Sequence, residues 1–319
     1  MALFVLAFAN GANDVGKSVV SLMIGRGASG PGGRRPLVWG GIFSGLGSAS
    51  AILISGKLFS VFSPHTLLRT NPAFSFALAA LIGTTVWVLL ATILRLPVST
   101  THAIVGAIVL PAVYFYGSSS LAWNVLGERV VLPLAGGPFI ALIGAYLLDR
   151  LTRGRQASEV QKPSRFRLAH YGTAAATSYA RGVNDAPKMV ALGAFLLPLS
   201  AQAGAASLYL VVVVAVVAGS LVWGDRVART LAGRAGTLGH GQRVKAGFAT
   251  AALLSAGAYF GEALSTTQVS AGATAGAGGG SGNHVRSVLR GIVLSWLVTF
   301  PIAGFLAIAT SLFGTSLLG

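Results

Sequence analysis

The first groups in this sequence able to do chemistry are two aspartate–lysine couples, each set three residues apart in an apolar stretch. Gly11-Ala12-Asn13-Asp14-Val15-Gly16-Lys17 returns as Gly182-Val183-Asn184-Asp185-Ala186-Pro187-Lys188, an offset of 171. On a helix, Asp14 and Lys17 share a face, as do Asp185 and Lys188. The chain has only seven carboxylates, and an ionised side chain within an apolar span normally faces a cavity and serves function. The bland alternative is a pair of neutralised buried couples. Two of them in matching places are a poor way to gain stability. The functional reading is therefore favoured: each lysine helps hold an anion, and each aspartate binds a coupling cation, carries a proton or fixes its lysine. Gly11 and Asn13 disfavour a continuous helix, so a broken helix with free backbone groups is expected at this motif.

The second motif is Pro97-Val98-Ser99-Thr100-Thr101-His102, which returns in part as Ser265-Thr266-Thr267-Gln268, an offset of 166. Proline suits the first turn of a helix and the hydroxyls can cap its free N–H groups. A half-helix that starts at membrane depth points its positive end into a site. Successive hydroxyls can donate to a tetrahedral oxyanion or offer oxygens to sodium. They could instead bond back to the preceding turn, but the repetition favours function. The expected substrate-binding set is Asn13, Asp14, Lys17, Ser99, Thr100, Thr101, Asn184, Asp185, Lys188, Ser265, Thr266 and Thr267. A coupling ion would draw on Asp14, Asp185, Ser99, Thr100, Ser265 and Thr266. Glu262 joins that group as a one-sided carboxylate, since Leu96 stands at its place in the first copy. His102, matched by Gln268, is read as structural.

The elements that position these groups follow from composition. Hydrophobic residues make up 54% of the chain and charged residues 9%, with a mean hydropathy of +0.74. A soluble domain carries about 25% charged residues, so this chain is an all-α polytopic membrane protein. Ten apolar stretches lie at about 2–24, 37–61, 74–94, 98–116, 130–148, 170–197, 207–223, 246–261, 263–280 and 288–313. Five segments, a charged linker and five more give a first repeat over 1–149, a basic cytoplasmic linker over 150–168 and a second repeat over 169–319. An odd number of crossings per half inverts the second relative to the first. Arg26, Arg34 and Arg35, the linker, and Arg226 to Lys245 then all fall on the cytoplasmic side, as the positive-inside bias requires. The net charge of +16 is thus membrane topology and not nucleic-acid binding.

The absence of cysteine excludes disulfides and Cys-based metal sites. No basic n-region precedes the apolar run Ala2 to Phe8, so no cleavable signal peptide is expected. Gly11 to Ser18 also fits the phosphate-loop pattern, yet the strand–helix alternation and the Mg²⁺-holding carboxylate of a nucleotide hydrolase are missing, and the second copy ending Pro187-Lys188-Met189 breaks the pattern. No nucleophile–base set stands out, so the chain is not read as an enzyme. Gly272 to Gly282 reads as a small-residue half-helix that packs closely, ending in a loop over Gly278 to Gly282.

At Gly11 to Asp14, Gly182 to Asp185, Pro97 to His102 and Ser265 to Thr267 the sequence resembles the inorganic phosphate transporter family. These are sodium- or proton-coupled permeases with a G-x-N-D motif in each inverted half and P-V-S-T-T-H downstream. The resemblance covers essentially the whole chain. It implies a secondary active transporter of inorganic phosphate, coupled to Na⁺ or H⁺, with alternating access to a midplane site between two inverted repeats whose helices are broken there. No cofactor is implied beyond Na⁺ in its coupling role, and the location implied is the cell membrane. The sequence departs from many relatives at Gly16-Lys17-Ser18, where they have small residues. An added Lys17 offers positive charge that a cation would otherwise bring. Some relatives carry sulfate, so a sulfate permease is the close alternative and a passive anion channel the more distant one. Small-residue segments permit a homodimer.

Overall fold

The computed structural model describes residues 1–23, 34–156, 163–196, 205–235, 238–279 and 282–318. Its helices are α1 (Ala2–Met23), α2 (Arg35–Ile54), α3 (Gly56–Val61), α4 (Pro64–Leu67), α5 (Phe74–Ile93), α6 (Thr100–Tyr116), α7 (Trp123–Val125), α8 (Leu132–Gln156), α9 (Pro163–Ala194), α10 (Ala205–Ala235), α11 (His240–Phe260), α12 (Thr266–Ala277), α13 (Gly282–Leu294) and α14 (Phe300–Leu318). Every apolar stretch expected from the sequence falls on helix. Among the described residues, five stretches are long and apolar enough to cross a membrane by themselves: Arg35–Ile54, Phe74–Ile93, Trp123–Thr152, Ala206–Leu231 and Val285–Phe313. α8 runs to Gln156 and α9 starts at Pro163, so helix extends into both ends of the expected linker. Residues 157–162 between them lie outside the described residues, as do 197–204 and, of the expected loop Gly278 to Gly282, 280–281.

The two halves interleave. Phe8 of α1 meets Gly219 of α10 and Gly16 meets Ala228, so these helices run parallel. Trp39 of α2 donates to the Tyr171 carbonyl and Ser55 to that of Val183, so α2 and α9 run parallel as well. α8 packs on α12, and α14 on α5 and α6. Glycine permits these approaches. A Cβ on Gly219 would lie 1.9 Å from the Phe8 oxygen, and one on Gly47 2.0 Å from that of Tyr179. Gly106 and Gly272, 166 residues apart, sit equally close to the carbonyls of Phe300 and Pro138. The half-helix α12 is therefore the closely packed small-residue element expected there.

Of the breaks the sequence suggested, those at the G-x-N-D motifs are absent and those at the hydroxyl clusters are present. α1 passes unbroken through Gly11 and Asn13, and α9 through Gly182 and Pro187. Gly11 serves close packing against Val216, and the Asn13 side chain bonds outward to another segment, so neither residue ends the helix. The chain breaks instead just before each hydroxyl cluster. α5 and α11 both end with a residue in the left-handed region, Arg95 (φ 61°) and Gly261 (φ 83°). Leu96 N–H then bonds back to Ala91 and Glu262 N–H to Gly257, each at 2.8 Å. These are the six-to-one bonds of a Schellman cap, 166 residues apart. An extended run follows each cap, and α6 and α12 start at Ser99 and Ser265, whose hydroxyls accept from His102 N–H and Gln268 N–H. The predicted N-caps are thus in place.

Two outcomes test this packing. Gly219→Ala forces a methyl into the Phe8 carbonyl and should cost ~1–3 kcal/mol, whereas Gly144→Ala, inside α8 where a Cβ meets nothing within 4 Å, should not lower the thermal midpoint of the detergent-solubilised protein. Arg95→Gly should raise stability by about 1 kcal/mol, because only glycine occupies the left-handed region without a steric penalty; a lowered midpoint would show that Arg95 is held there at no strain.

Candidate functional site

The unbroken helices α1 and α9 carry the aspartates and lysines, and the two breaks bring the hydroxyls to them. Asn13 holds the first break. Its amide donates to Thr92 Oγ1 at 3.1 Å and to the Leu96 carbonyl at 2.9 Å, and its oxygen accepts from Val98 N–H at 3.2 Å. Asn184 holds the second, donating to the Leu264 carbonyl at 3.2 Å and to Asp185 Oδ1 at 2.9 Å. Both asparagines are fully buried. They latch a backbone whose polar groups no helix satisfies at these points.

At the centre, Asp14 Oδ1 pairs with the Lys17 ammonium. Its other oxygen, Oδ2, accepts from Arg181 Nη2 at 2.5 Å and from Thr266 Oγ1 at 2.9 Å. Lys17 Nζ also donates to the Val98 carbonyl at 2.9 Å and to Thr267 Oγ1 at 2.6 Å. The second half repeats this set. Lys188 Nζ reaches Asp185 Oδ1 at 3.4 Å, the Leu264 carbonyl at 2.8 Å and Thr101 Oγ1 at 2.9 Å. Thr267 donates onward to Val98 O and Thr101 to Leu264 O. Each lysine is thus bound by the opposite half's hydroxyl cluster. Between them Ser265 donates to Ser99 at 2.9 Å, so equivalent residues of the two copies touch.

The bonds join Asn13, Asp14, Lys17, Thr266 and Thr267 in one set and Thr101, Asn184, Asp185 and Lys188 in a second, while Ser99 meets Ser265 and Thr100 meets Asn10; of these twelve expected residues all but the partly buried Thr267 are buried. Glu262 is not among them: its carboxylate pairs with Arg129 at 2.6 Å, on a partly exposed edge. His102 bonds Ser99 through Nδ1 at 2.8 Å and packs edge-on against Trp296, a structural role as expected. Arg181 is the residue that sequence reasoning missed. The signal was there: an arginine inside a predicted span, at the place held by Asn10 in the first copy. Asn10 instead donates to Thr100 Oγ1 at 3.0 Å. Two carboxylates against three cations leave the cluster one formal positive charge.

Two cavities reach the cluster. One is lined by Asn10, Asp14, Ser44, Ser48, Arg181 and Asp185, with Gly11 and Gly182 providing room beside the backbone. The buried Ser48 Oγ and Arg181 Nε have no hydrogen-bond partner among the described residues. The other leads from Lys17 and Ser18 past Thr173, Thr177, Thr250 and Ser270 to Leu238 and Arg243. No group of three or more His, Cys, Asp or Glu side chains that could hold a metal occurs among the described residues.

The family model described as "Phosphate transporter family" matches residues 10–160 and 150–307, one match per half. A protein of Mycobacterium tuberculosis (strain CDC 1551 / Oshkosh) described as "Probable low-affinity inorganic phosphate transporter" is 31% identical over 317 residues, covering 95% of this chain and 73% of that protein. One of Rhizobium meliloti (strain 1021) with the same description is 29% identical over 243 residues, or 72% of this chain and 71% of that one. A solved structure described as "The sodium-dependent phosphate transporter" shares the fold, with a TM-score of 0.81 and 21% identity over 99% of this chain and 97% of the other. With the family model matched across both motif-bearing halves, this chain belongs to the phosphate transporter family and is a multi-pass membrane transporter.

Proposed function

We propose that this chain is a secondary active transporter of inorganic phosphate, coupled to Na⁺ or H⁺, working by alternating access between two inverted repeats. The anion binds at the cluster where α1, α9, α6 and α12 meet. Asp14 and Asp185 serve coupling, and the hydroxyls of 99–101 and 265–267, with Asn13, Asn184, Lys17 and Lys188, form and support the anion site. The observation that carries this reading is the buried Arg181. Its guanidinium lines a cavity with Ser48 and retains an unmet Nε donor, and the cluster around it carries a net positive charge. A planar, permanently charged donor fork is the side chain best suited to a tetrahedral oxyanion.

Alternating access finds support in the recurrence of the lysine contacts and of the helix breaks at matching places in the two halves. The same cap, extended run and capped half-helix occur twice, so either break could yield while the other holds. Sulfate is the second candidate, since the donor set alone suits any tetrahedral oxyanion. Phosphate keeps a proton near neutral pH and sulfate does not, so a carboxylate acceptor such as Asp185, which faces one cation against two for Asp14, would favour phosphate.

The deciding experiment is uptake of radiolabelled phosphate and sulfate into proteoliposomes, with sodium and pH gradients imposed separately. Phosphate accumulation that excess sulfate does not compete away is the expected result; accumulation of sulfate in its place would move the chain to sulfate transport. Asp14→Ala and Asp185→Ala should each lower the uptake rate at least about tenfold, since each removes a charge-assisted bond worth ~1.5–3 kcal/mol and strands a buried lysine; wild-type rates in both would remove the aspartates from the mechanism. Arg181→Gln should raise the KM for phosphate by about tenfold or more on the same energy scale, and an unchanged KM would place the anion elsewhere.

A further inference from the structure

The two lysine ammoniums are each held by oxygens of the same three kinds. Around Lys17 Nζ stand one carboxylate oxygen (Asp14), one main-chain carbonyl (Val98, 2.9 Å) and one hydroxyl (Thr267, 2.6 Å). Around Lys188 Nζ stand the same three kinds: Asp185 at 3.4 Å, Leu264 at 2.8 Å and Thr101 at 2.9 Å. All the donors are hard oxygens. Carboxylate, carbonyl and hydroxyl together are the ligand type of hard cations, and carbonyls of unwound segments in transporter helices are where alkali cations are held. An ammonium has three N–H donors and no acceptor, so three oxygens satisfy each lysine completely. Both ammoniums are buried, and each oxygen set draws on both halves of the chain.

We propose that Lys17 and Lys188 are tethered stand-ins for mobile alkali cations: each ammonium fills an oxygen set that would otherwise hold Na⁺, and transport by this chain needs no sodium. The proposal rests on reading the cluster as the transport site. A Na⁺ entering either set would meet a fixed positive charge at its centre and an oxygen shell already engaged. The charge that a co-transported cation would bring beside the anion is present at all times, with Arg181 adding a third cation next to Asp14. Likeness of fold to a protein described as sodium-dependent does not carry that dependence here, because the ligand positions are taken by this chain's own side chains. The remaining coupling ion is the proton, for which Asp14 and Asp185 are the buried acceptors in the network.

The test uses the full chain. Phosphate uptake into proteoliposomes under a pH gradient is measured with Na⁺, K⁺ or N-methylglucamine as the external cation. The expected initial rates agree within about twofold, and any larger stimulation by Na⁺ overturns the proposal. In parallel, thermal melts of solubilised wild type, Lys17→Ala and Lys188→Ala are compared in NaCl and KCl. The expected result is a sodium-specific rise in midpoint for at least one alanine variant and none for wild type. No rise in any variant that folds, or a rise in wild type, overturns it. Should neither variant fold, the sodium dependence of wild-type uptake and melting decides alone. Absence of phosphate uptake under every gradient would sink the phosphate reading, and the melts would still judge the lysines.

Discussion

Five charged side chains buried against one another constrain everything else in this molecule. Taking an ion out of water costs several kcal/mol even after relaxation, and removing one member of a buried pair costs roughly 3–5 kcal/mol because the partner is left uncompensated. Asp14, Lys17, Arg181, Asp185 and Lys188 therefore have to be fixed to within hydrogen-bond tolerance. α1 and α9 supply that rigidity by running unbroken through the motif, Pro187 included. The compensating oxygens come from the two places where helices end, since only there are main-chain carbonyls free to turn inward. The breaks at 95–99 and 261–265 are thus consequences of the charges.

Close helix packing follows from the same constraint. Lys17 needs Thr267, and Lys188 needs Thr101, so neither half completes a site alone. Crossing of the halves puts α10 against α1 and α2 against α9 at backbone contact, which only glycine at positions such as 47 and 219 permits. Serine hydroxyls fill the seams: Ser220 donates to the Gly11 carbonyl at 3.2 Å and Ser55 to Val183 at 2.9 Å.

Much of this was legible in the sequence, and the reasons for the rest are specific. The offsets of 171 and 166 identified the paired motifs, and the structure sets each lysine of one copy against a threonine of the other. The break expected at the G-x-N-D motif is absent because glycine and asparagine were weighed there by intrinsic helix propensity. Tertiary contacts override that propensity when a glycine admits a neighbouring backbone and an asparagine amide latches a distant extended segment. Arg181 was missed because it lies outside the repeated motif, and the comparison of copies shows what matches more readily than what differs. The interleaving of helices has no local signature. It depends on which apolar faces meet, and the faces of a helix that is apolar all round are indistinguishable in sequence.

The differences between the copies divide the work of the site. Each lysine already uses its three donors on protein oxygens, so in the proposed site it would contribute charge to an anion at a distance and not by direct contact. Arg181 is different: with five N–H donors it engages Asp14 and Ser18 and keeps Nε unmatched beside a cavity. Its counterpart Asn10 is neutral and turned toward Thr100. A strictly symmetric site would present either two arginines, with a charge too high to release a monovalent anion readily, or two asparagines and no net charge to attract one. One arginine leaves a single positive charge, which a dihydrogen phosphate ion would neutralise.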